Sequence, residues 1–249
     1  MEKRNYLFPF TLVMLLFLWE TVVRLANIPE YVLPSPTAIV NQSIEVYLLL
    51  AGHFLVTLQE VLIGMSVGIP LAIIVAIIFH WSGLARAAFF PYARGINSTP
   101  IVIIASMIIV WFGIGIESKI IVAIICTLFP IVVHICNGLD SVDPLREKFM
   151  DARNASKLEK LIYLEFPSIA GEFFSALETV VTYVIVGIFF AEMIGSNKGL
   201  GFYNQNLMYR METAKMLLVT AATMGMGVTL ATIVAKIKES ISKSNSNRR

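Results

Sequence analysis

Long apolar stretches separated by short polar segments run through this chain. Six windows each come close to the roughly 20 mostly apolar residues with which a helix crosses the hydrocarbon core of a bilayer. They lie at residues 7–26, 54–79, 88–112, 119–139, 173–195 and 214–235. The pattern predicts an all-α integral membrane protein of about six transmembrane helices, with residues 1–249 forming a single domain.

The placement of the 19 Lys and Arg residues predicts the orientation of these helices. With the N-terminus inside, 14 of them fall in inner segments and five in outer segments, as expected when positive charge is retained in cytoplasmic loops. The inner set is Lys3, Arg4, Arg86, Arg94, Arg146, Lys148, Arg153, Lys157, Lys160, Lys236, Lys238, Lys243, Arg248 and Arg249, and the outer set is Arg24, Lys119, Lys198, Arg210 and Lys215. Both termini are therefore predicted to be cytoplasmic. This topology needs an uncleaved first helix, and no small-x-small cleavage site follows the first window to suggest a signal peptide.

Composition agrees with a membrane protein. Hydrophobic residues make up 57% and charged residues 14% of the 249, whereas a soluble domain carries about 25% charged residues. The lipid bilayer is therefore the expected surrounding, and no nucleic-acid partner is expected. Cys126 and Cys136 share one apolar segment, where we interpret them as small buried hydrophobes. His53, His80 and His134 are scattered without a zinc-ligand spacing, so no metal site is predicted.

Small residues recur at every fourth position in two of the windows. Gly64, Gly68, Ala72 and Ala76 form one stripe, and Gly227, Ala231 and Ala235 form another. Small residues let helix backbones approach closely in lipid. Each stripe therefore predicts a helix–helix contact, either within the bundle or between two subunits.

Several polar residues fall inside or beside the apolar windows. Glu60, Glu178 and Glu192 are ionisable, and such groups usually face a bundle interior or a water-filled cavity. They are compatible with interhelical hydrogen bonds, with hydration near the headgroups, or with the proton relay of an ion-coupled transporter. The candidate lining of a solute path is Glu60, Ser98, Thr99, Ser106 and Glu178.

A mostly polar segment, residues 140–170, separates the fourth and fifth windows, and its second half reads DARNASKLEKLIYLEFP. Leu158, Leu161, Ile162 and Phe166 fall at helical spacing. This predicts an amphipathic helix that lies along the membrane surface and ends at Pro167. The residues before it, 148–156, would then project as a short knob suited to dock a partner protein.

This segment resembles the cytoplasmic coupling loop of bacterial ABC importer permeases, in which Glu-Ala-Ala is followed after three residues by Gly-Ala-Ser and then by Leu-Pro, whose leucine lies ten positions after the serine. With the proline aligned on Pro167, Ala155 and Ser156 match the Ala-Ser pair. Two positions depart from the pattern: Asn154 replaces the glycine, and Lys148-Phe149-Met150 replaces Glu-Ala-Ala. Because Asn tolerates left-handed backbone better than most residues, we expect the turn to be kept.

Four further stretches extend the resemblance over roughly residues 15–235. They read WETVVRLANIPEYVLPSPTAI (19–39), TLQEVLIGMSVGIPLA (57–72), STPIVIIASMIIVWFGIGIESKI (98–120) and AEMIGSNKGLG (191–201). In this order and spacing they are similar to the permease subfamily of nitrate, sulfonate, taurine and vitamin-precursor importers. The Leu-Pro-Ser-Pro and Trp-Phe-Gly-Ile-Gly elements are the most distinctive.

The resemblance implies a permease of the bacterial inner membrane that works as a homodimer with two ATP-binding cassette ATPase subunits and an extracytoplasmic substrate-binding protein. Its ATPase contact, here called the coupling loop, would be Lys148, Phe149, Met150, Asp151, Ala152, Arg153, Asn154, Ala155 and Ser156. The chain contains no G-x-x-x-x-G-K-[ST] phosphate loop, so ATP and Mg²⁺ are expected in the partner ATPase and no cofactor in this chain. The expected cargo is a small solute of the sulfonate, nitrate, taurine or vitamin-precursor class.

Two other kinds of protein share the hydrophobic pattern. An ion-coupled secondary transporter, the retained alternative, normally shows a midplane charged relay or repeated halves with broken helices. A membrane enzyme needs a cluster of catalytic groups. The sequence shows neither clear repeats nor such a cluster, so no catalytic residue is predicted.

Two outer segments complete the expectations. Residues 28–41 contain Pro29, Pro34 and Pro36, which favour a stiff extended path. Residues 195–212 contain three glycines and are predicted to be flexible. By the same resemblance these segments would meet the binding protein, and otherwise they are simple connections.

Overall fold

Helices form every regular element in the range that the computed structural model describes, residues 7–246, with side chains from residue 10 to residue 241. Lys3, Arg4, Arg248 and Arg249, which support the predicted cytoplasmic termini, lie outside the described residues, as does the side chain of Lys243. The helices are α1 (Leu7–Leu25), α2 (Pro36–Trp81), α3 (Gly83–Asn97), α4 (Ile101–Phe112), α5 (Ile116–Asp140), α6 (Pro144–Ala152), α7 (Lys157–Lys160), α8 (Phe166–Ile194), α9 (Leu200–Tyr209) and α10 (Thr213–Ser246), with a π turn (Leu161–Glu165) between α7 and α8.

The predicted all-α membrane fold is confirmed. Among the described residues, four helices are long and apolar enough to cross a bilayer, namely α2, α5, the continuous helix Lys157–Ile194 and α10. The bent pair of α3 and α4 gives a fifth candidate span. α1 coincides with the first predicted span, and its 19 residues make it about 28 Å long. Most of its apolar side chains are exposed, so α1 lies at the edge of the bundle.

The third predicted span, residues 88–112, is not one helix, because α3 and α4 meet at 103°. Pro100 disfavours helical backbone at Thr99. The hydroxyls of Ser98 and Thr99 donate to carbonyls in the last turn of α3 at 3.0 and 2.9 Å, which satisfies groups that a helix end leaves free. α4 has 12 residues and is about 18 Å long, too short to cross a bilayer alone.

α5 packs between α2 and α8 at the centre of the bundle, and the first small-residue stripe makes this contact close. A Cβ atom on Gly64 would lie 2.0 Å from the Cβ of Ala123, and one on Gly68 would lie 2.7 Å from the Cβ of Thr127. The two alanines of the stripe are fully buried. The prediction of a helix contact is confirmed, and this contact lies within the bundle.

The second stripe, on α10, is only partly covered by the described residues of this chain. Gly227 and Ala231 are half-buried, and Ala235 is exposed. α10 packs on α8, α2 and α9, and a Cβ atom on Gly227 would lie 3.7 Å from the side chain of Ile185 in α8. Of the two interpretations of this stripe, a contact between subunits is the one that the single chain leaves free to form.

Both outer segments contain helix where the sequence predicts extended or flexible chain. α2 begins at Pro36 because proline suits the first helical turn and the Ser35 hydroxyl accepts a hydrogen bond from the Ala38 N–H at 3.2 Å. The extended prediction for residues 28–41 is therefore wrong in its second half. The flexible prediction for residues 195–212 is also wrong, because α9 lies within this range and is packed on α8 and α2.

Candidate functional site

The coupling loop starts within α6, a short helix with a capped beginning. The Asp143 side chain accepts a hydrogen bond from the Leu145 N–H at 2.8 Å, and Pro144 occupies the first turn. α6 ends at Ala152, and Asn154 then adopts left-handed backbone with a φ of 55°. The expected turn is therefore present at the position where the family pattern has glycine.

A capping box begins the next helix. The Ser156 N–H donates to the Glu159 carboxylate at 2.7 Å, and the Glu159 N–H donates to the Ser156 hydroxyl at 3.2 Å. Lys160 forms an ion pair with Asp151 across the turn. The coupling loop is thus a turn held by hydrogen bonds and an ion pair, with little freedom to move independently of the helix that follows.

The separate surface helix predicted for residues 157–166 does not form. The chain runs as one helix from Lys157 to Ile194, and Pro167 does not end it. Proline lacks an amide for the carbonyl four residues back and crowds that carbonyl. A π turn relieves the conflict, because the Phe166 N–H donates to the Leu161 carbonyl five residues back. Leu161 is buried in the bundle, so the predicted apolar stripe does not form one lipid-facing surface.

α6 presents an exposed apolar face. Leu145 and Phe149, one turn apart, are 72% and 61% exposed. The Arg153 guanidinium lies 5.7 Å from the centroid of the Phe149 ring. An exposed apolar patch rimmed by charge is typical of a protein-binding surface. Leu145 was not among the predicted residues, and its spacing of four from Phe149 is the sequence signal that identifies it.

Most of the predicted coupling-loop residues have exposed side chains. Those with exposed side chains are Lys148, Phe149, Asp151, Ala152, Arg153, Asn154 and Ser156, whereas Met150 and Ala155 are half-buried. Met150 packs against the edge of the core. The segment is therefore attached to the bundle on one side and accessible on the other.

A buried polar cluster lies at the opposite end of the bundle, where α9 packs on α2 and α8. It consists of the buried residues Thr57, Glu60, Lys119 and Glu192 together with the half-buried His53. The Thr57 hydroxyl donates to Glu192 Oε1 at 2.7 Å and accepts a hydrogen bond from the Leu200 N–H at 2.8 Å. Glu192 Oε2 accepts from the Gly201 N–H at 2.7 Å. The cluster thus binds the first free amides of α9, where the helix dipole favours an anionic acceptor.

Glycines allow α9 to approach this closely. The Gly199 N–H donates to His53 Nδ1 at 3.1 Å, and the His53 ring stacks on the Tyr203 ring at 4.9 Å between centroids. A Cβ atom on Gly199 would lie 2.1 Å from a carboxylate oxygen of Glu192, and one on Gly201 would lie 2.0 Å from a backbone carbonyl oxygen of α8. These glycines therefore permit tight packing, and the flexibility predicted for them is not observed.

Lys119 brings a positive charge into the cluster. Its side chain is fully buried, with 0% exposure. The ammonium donates to the carbonyls of Ile114, Gly115 and Gly195 at 2.5, 3.0 and 2.5 Å. The sequence places this lysine among the outer charges, but its side chain points into the bundle. Its hydrogen bonds link the α4–α5 connection to the end of α8.

Glu60, a predicted pathway residue, belongs to the same cluster. It is 3% exposed, and its carboxyl group faces Glu192 and Lys119. Glu60 Oε2 has no hydrogen-bond partner among the described residues. Within the described chain Glu60 is covered by protein and does not face an open path.

The other predicted pathway residues lie outside the cluster, at three separate places in the chain. Ser98 and Thr99 are at the bend between α3 and α4. Ser106 lies within α4, where its hydroxyl donates to the Ile103 carbonyl at 2.8 Å. Glu178 lies near the middle of α8, 4.0 Å from the ammonium of Lys238. A single chain therefore does not gather the five residues into one site.

Comparison with known proteins gives consistent matches over most of the chain. The family described as "Binding-protein-dependent transport system inner membrane component" matches residues 68–242. The formylaminopyrimidine transport permease protein ThiX of Halalkalibacterium halodurans is 31% identical over 196 residues, which cover 78% of each chain. The riboflavin transport system permease protein RibX of Chloroflexus aurantiacus is 27% identical over 195 residues, covering 78% of this chain and 73% of that one. The taurine transport system permease protein TauC of Escherichia coli is 26% identical over 207 residues, covering 79% and 74%.

Solved structures show the same fold. An amino acid ABC transporter chain aligns with a TM-score of 0.65 at 14% identity, covering 80% of this chain and 96% of that one. The MetNI methionine ABC transporter in an inward-facing conformation aligns with a TM-score of 0.58 at 14% identity, covering 78% and 93%. The family match covers well over half of the residues, and a relative above 30% identity supports it. The chain therefore belongs to the binding-protein-dependent transport system inner membrane components, the membrane-spanning permease subunits of ABC transporters.

Proposed function

We propose that this permease forms the translocation path of an ABC importer as a homodimer, driven by two ATPase subunits on its cytoplasmic side and supplied by an extracytoplasmic binding protein. Both termini and α6 would then lie in the cytoplasm. The cargo belongs to the sulfonate, nitrate, taurine or vitamin-precursor class. The relatives carry the names of a pyrimidine, a flavin and a sulfonate, so their names do not choose among these cargoes.

The proposal rests on the way in which the coupling loop is connected to the membrane helices. An exposed apolar face, Leu145 and Phe149, is fixed through the Asn154 turn and the Ser156 cap to a helix that continues into the bundle. Moving a two-state equilibrium from 1:99 to 99:1 takes about 5.5 kcal/mol. A contact that transmits such an energy needs a rigid connection to the membrane helices, and this loop has one.

Two substitutions test the docking role of the coupling loop. Arg153→Glu reverses the charge beside the exposed Phe149 ring, and Ser156→Trp replaces the capping hydroxyl with a bulky ring. If the loop is an interface hot spot, each variant is expected to weaken ATPase binding by about 30-fold, or about 2 kcal/mol. Because both side chains are exposed, insertion into the membrane should be unchanged. Native mass spectrometry of the tagged chain, together with ATP-dependent uptake, measures both effects.

Lys236→Glu is the matched control for the charge reversal. Lys236 is exposed on α10 at the same end of the bundle but lies outside the coupling loop, so its variant should keep the ATPase. Normal assembly and uptake in both loop variants would show that the ATPase binds elsewhere. Equal loss in Lys236→Glu would show a general effect of charge at this end of the bundle.

A further inference from the structure

Residues 79–90, here called the α2–α3 corner, join two helices through a single residue. The Ser82 N–H donates to the Ile78 carbonyl at 3.0 Å, which closes the last turn of α2. The Ser82 hydroxyl accepts a hydrogen bond from the Ala85 N–H at 3.2 Å, which caps the first turn of α3. The same serine therefore ends one helix and begins the next, and no flexible loop separates α2 from α3.

Aromatic and cationic contacts make this corner rigid. The Phe79 and Phe90 rings pack edge to face with 6.3 Å between their centroids, an arrangement that aromatic pairs prefer. Both residues are 8% exposed. The guanidinium groups of Arg86 and Arg94 lie 5.2 and 4.7 Å from the centroid of the Phe90 ring. Side chains of the corner are therefore held in place where they contact the neighbouring helices.

Two polar contacts connect the corner to the chain on both sides of the coupling loop. The Arg86 guanidinium donates to both carboxylate oxygens of Asp140, the last residue of α5, at 2.7 and 2.5 Å. This bidentate pair is of the strong, directional kind. His80 Nε2 lies 3.0 Å from Oε2 of Glu165, the last residue of the π turn. The coupling loop lies between these two acidic residues in the sequence, so one corner contacts the chain before it and after it.

Glu165 depends on the corner for its neighbouring basic group. The residue is 5% exposed, and its Oε2 has no hydrogen bond of good geometry among the described residues. A buried carboxyl group is costly unless a partner compensates it. Within the described chain, the His80 imidazole is the basic group that lies within 4.0 Å of this carboxyl group. The contact therefore helps to determine where the π turn lies relative to α2.

Apolar packing is incomplete next to Glu165. A gap of about 200 Å³ lies where α8 begins, between three helices. It is lined by Ile73 of α2, Ile135 of α5, and Phe166, Ile169, Ala170 and Phe173 of α8. Voids larger than a water molecule are few in protein interiors, and each one removes contacts that would fix its lining. The polar contacts of the corner therefore contribute more to the position of this end of α8 than they would in a filled core.

Building on the proposed function, we infer that the α2–α3 corner is a second connection between the coupling loop and the membrane helices, with Arg86 and His80 as its positioning residues. The continuous helix Lys157–Ile194 carries a displacement of the loop along α8. The corner carries the same displacement sideways into α2 and α3, because Asp140 and Glu165 move with the loop and are bonded to it. Without these two contacts, α8 would move and α2 would not follow.

ATP hydrolysis stimulated by the binding protein tests the inference, because the stimulus then enters at one side of the permease and is measured at the other. The permease with its ATPase is reconstituted in nanodiscs, and released phosphate is measured with and without the binding protein. Arg86→Gln breaks the contact with Asp140, and Glu165→Gln removes the charge beside His80. The ratio of stimulated to unstimulated hydrolysis should fall about fivefold in each variant, as for residues that couple two sites. The ATPase content of each complex should be unchanged.

Folding is not expected to limit this comparison. The Arg86 and Asp140 side chains are 28% and 51% exposed, so Arg86→Gln leaves Asp140 in contact with solvent. Lys236→Gln is the matched control, because it removes a charge at an exposed position of α10 that makes no contact with the corner. Its stimulation ratio should equal that of the unchanged chain.

A charge swap separates positioning from general stability. Arg86→Asp combined with Asp140→Arg exchanges the two charges and places an acid near the start of α3 and a base at the end of α5, where the helix dipoles favour them. The double variant should recover most of the stimulation that Arg86→Gln loses.

Three results would overturn the inference. They are an unchanged ratio in Arg86→Gln or Glu165→Gln, a swap that recovers nothing, and loss of the ATPase from either single variant, which would assign the corner to docking. The proposed function fails by a different result, namely an unchanged chain that retains no ATPase.

Discussion

Replacing Lys119 with methionine is expected to leave little folded protein in the membrane. The variant removes the ammonium that interacts electrostatically with Glu60 and Glu192 and leaves three backbone carbonyls without their donor. Leaving buried hydrogen-bonding groups without a partner costs about 1–3 kcal/mol for each group, and this variant leaves three carbonyls without their donor at once. Size-exclusion chromatography of a fluorescently tagged chain, after heating in mild detergent, measures the remaining folded fraction.

Two further variants test whether the loss of stability comes from the buried position of Lys119. Adding Glu60→Gln to Lys119→Met should recover part of the loss, because a neutral amide needs no counter-charge and the two sites are coupled. Lys198→Met, at an exposed position of the same end, should change stability by less than about 0.5 kcal/mol. A Lys119→Met chain as stable as the original would show that the buried carboxyl groups do not depend on this ammonium.

Gly201→Ala is expected to detach α9 from α8. The new Cβ atom would lie 2.0 Å from the carbonyl oxygen of Phe189 and 2.9 Å from the Cβ of Glu192. Because backbone atoms cannot give way as a flexible side chain can, α9 must move, and its amides then leave Glu192 and Thr57. Overpacking together with a buried carboxyl group that loses its donors is expected to cost about 3 kcal/mol or more. Limited proteolysis between α8 and α10 should become faster.

Gly225→Ala is the matched control for this substitution. A Cβ atom on Gly225, in the middle of α10, would have no neighbouring atom within 4 Å. The same change should there be neutral or stabilise the helix by about 0.5–1 kcal/mol, since alanine loses less backbone entropy than glycine. Equal protease resistance of Gly201→Ala and Gly225→Ala would mean that α9 does not pack on α8 as described.

Sequence patterns predicted the features of this fold that depend on neighbouring residues. Five of the six apolar windows coincide with helices to within a residue, since burial in lipid needs a long apolar run and little else. The spacing of Gly64 and Gly68 predicted a close helix contact because side chains four apart share a face. Asn154 predicted a left-handed turn from the backbone tolerance of that residue type alone.

Features that depend on distant contacts, or on a local irregularity within a helix, were missed or misplaced. Thr57 bonds to Glu192 across 135 positions of the chain, and a threonine in an apolar helix carries no local sign of such a partner. Lys119 was counted as an outer charge because it lies at the end of an apolar window. Its position in the sequence does not show in which direction its side chain points. Pro167 predicted a helix end, yet a π turn lets the helix continue. The carbonyls that hold Lys119 come from connections that no periodicity describes.

The continuous helix that follows the coupling loop has a mechanical consequence. From Lys157 to Ile194 it contains 38 residues, which makes a rod about 57 Å long. The coupling loop is fixed to one end of this rod, and Glu192, which holds α9, lies two residues from the other end. A displacement of about 5 Å at the first end corresponds to a tilt of about 5° for a rod of this length. One continuous helix therefore joins the coupling loop to the residue that holds α9, so a push at one end can reach the other without passing through a flexible connection.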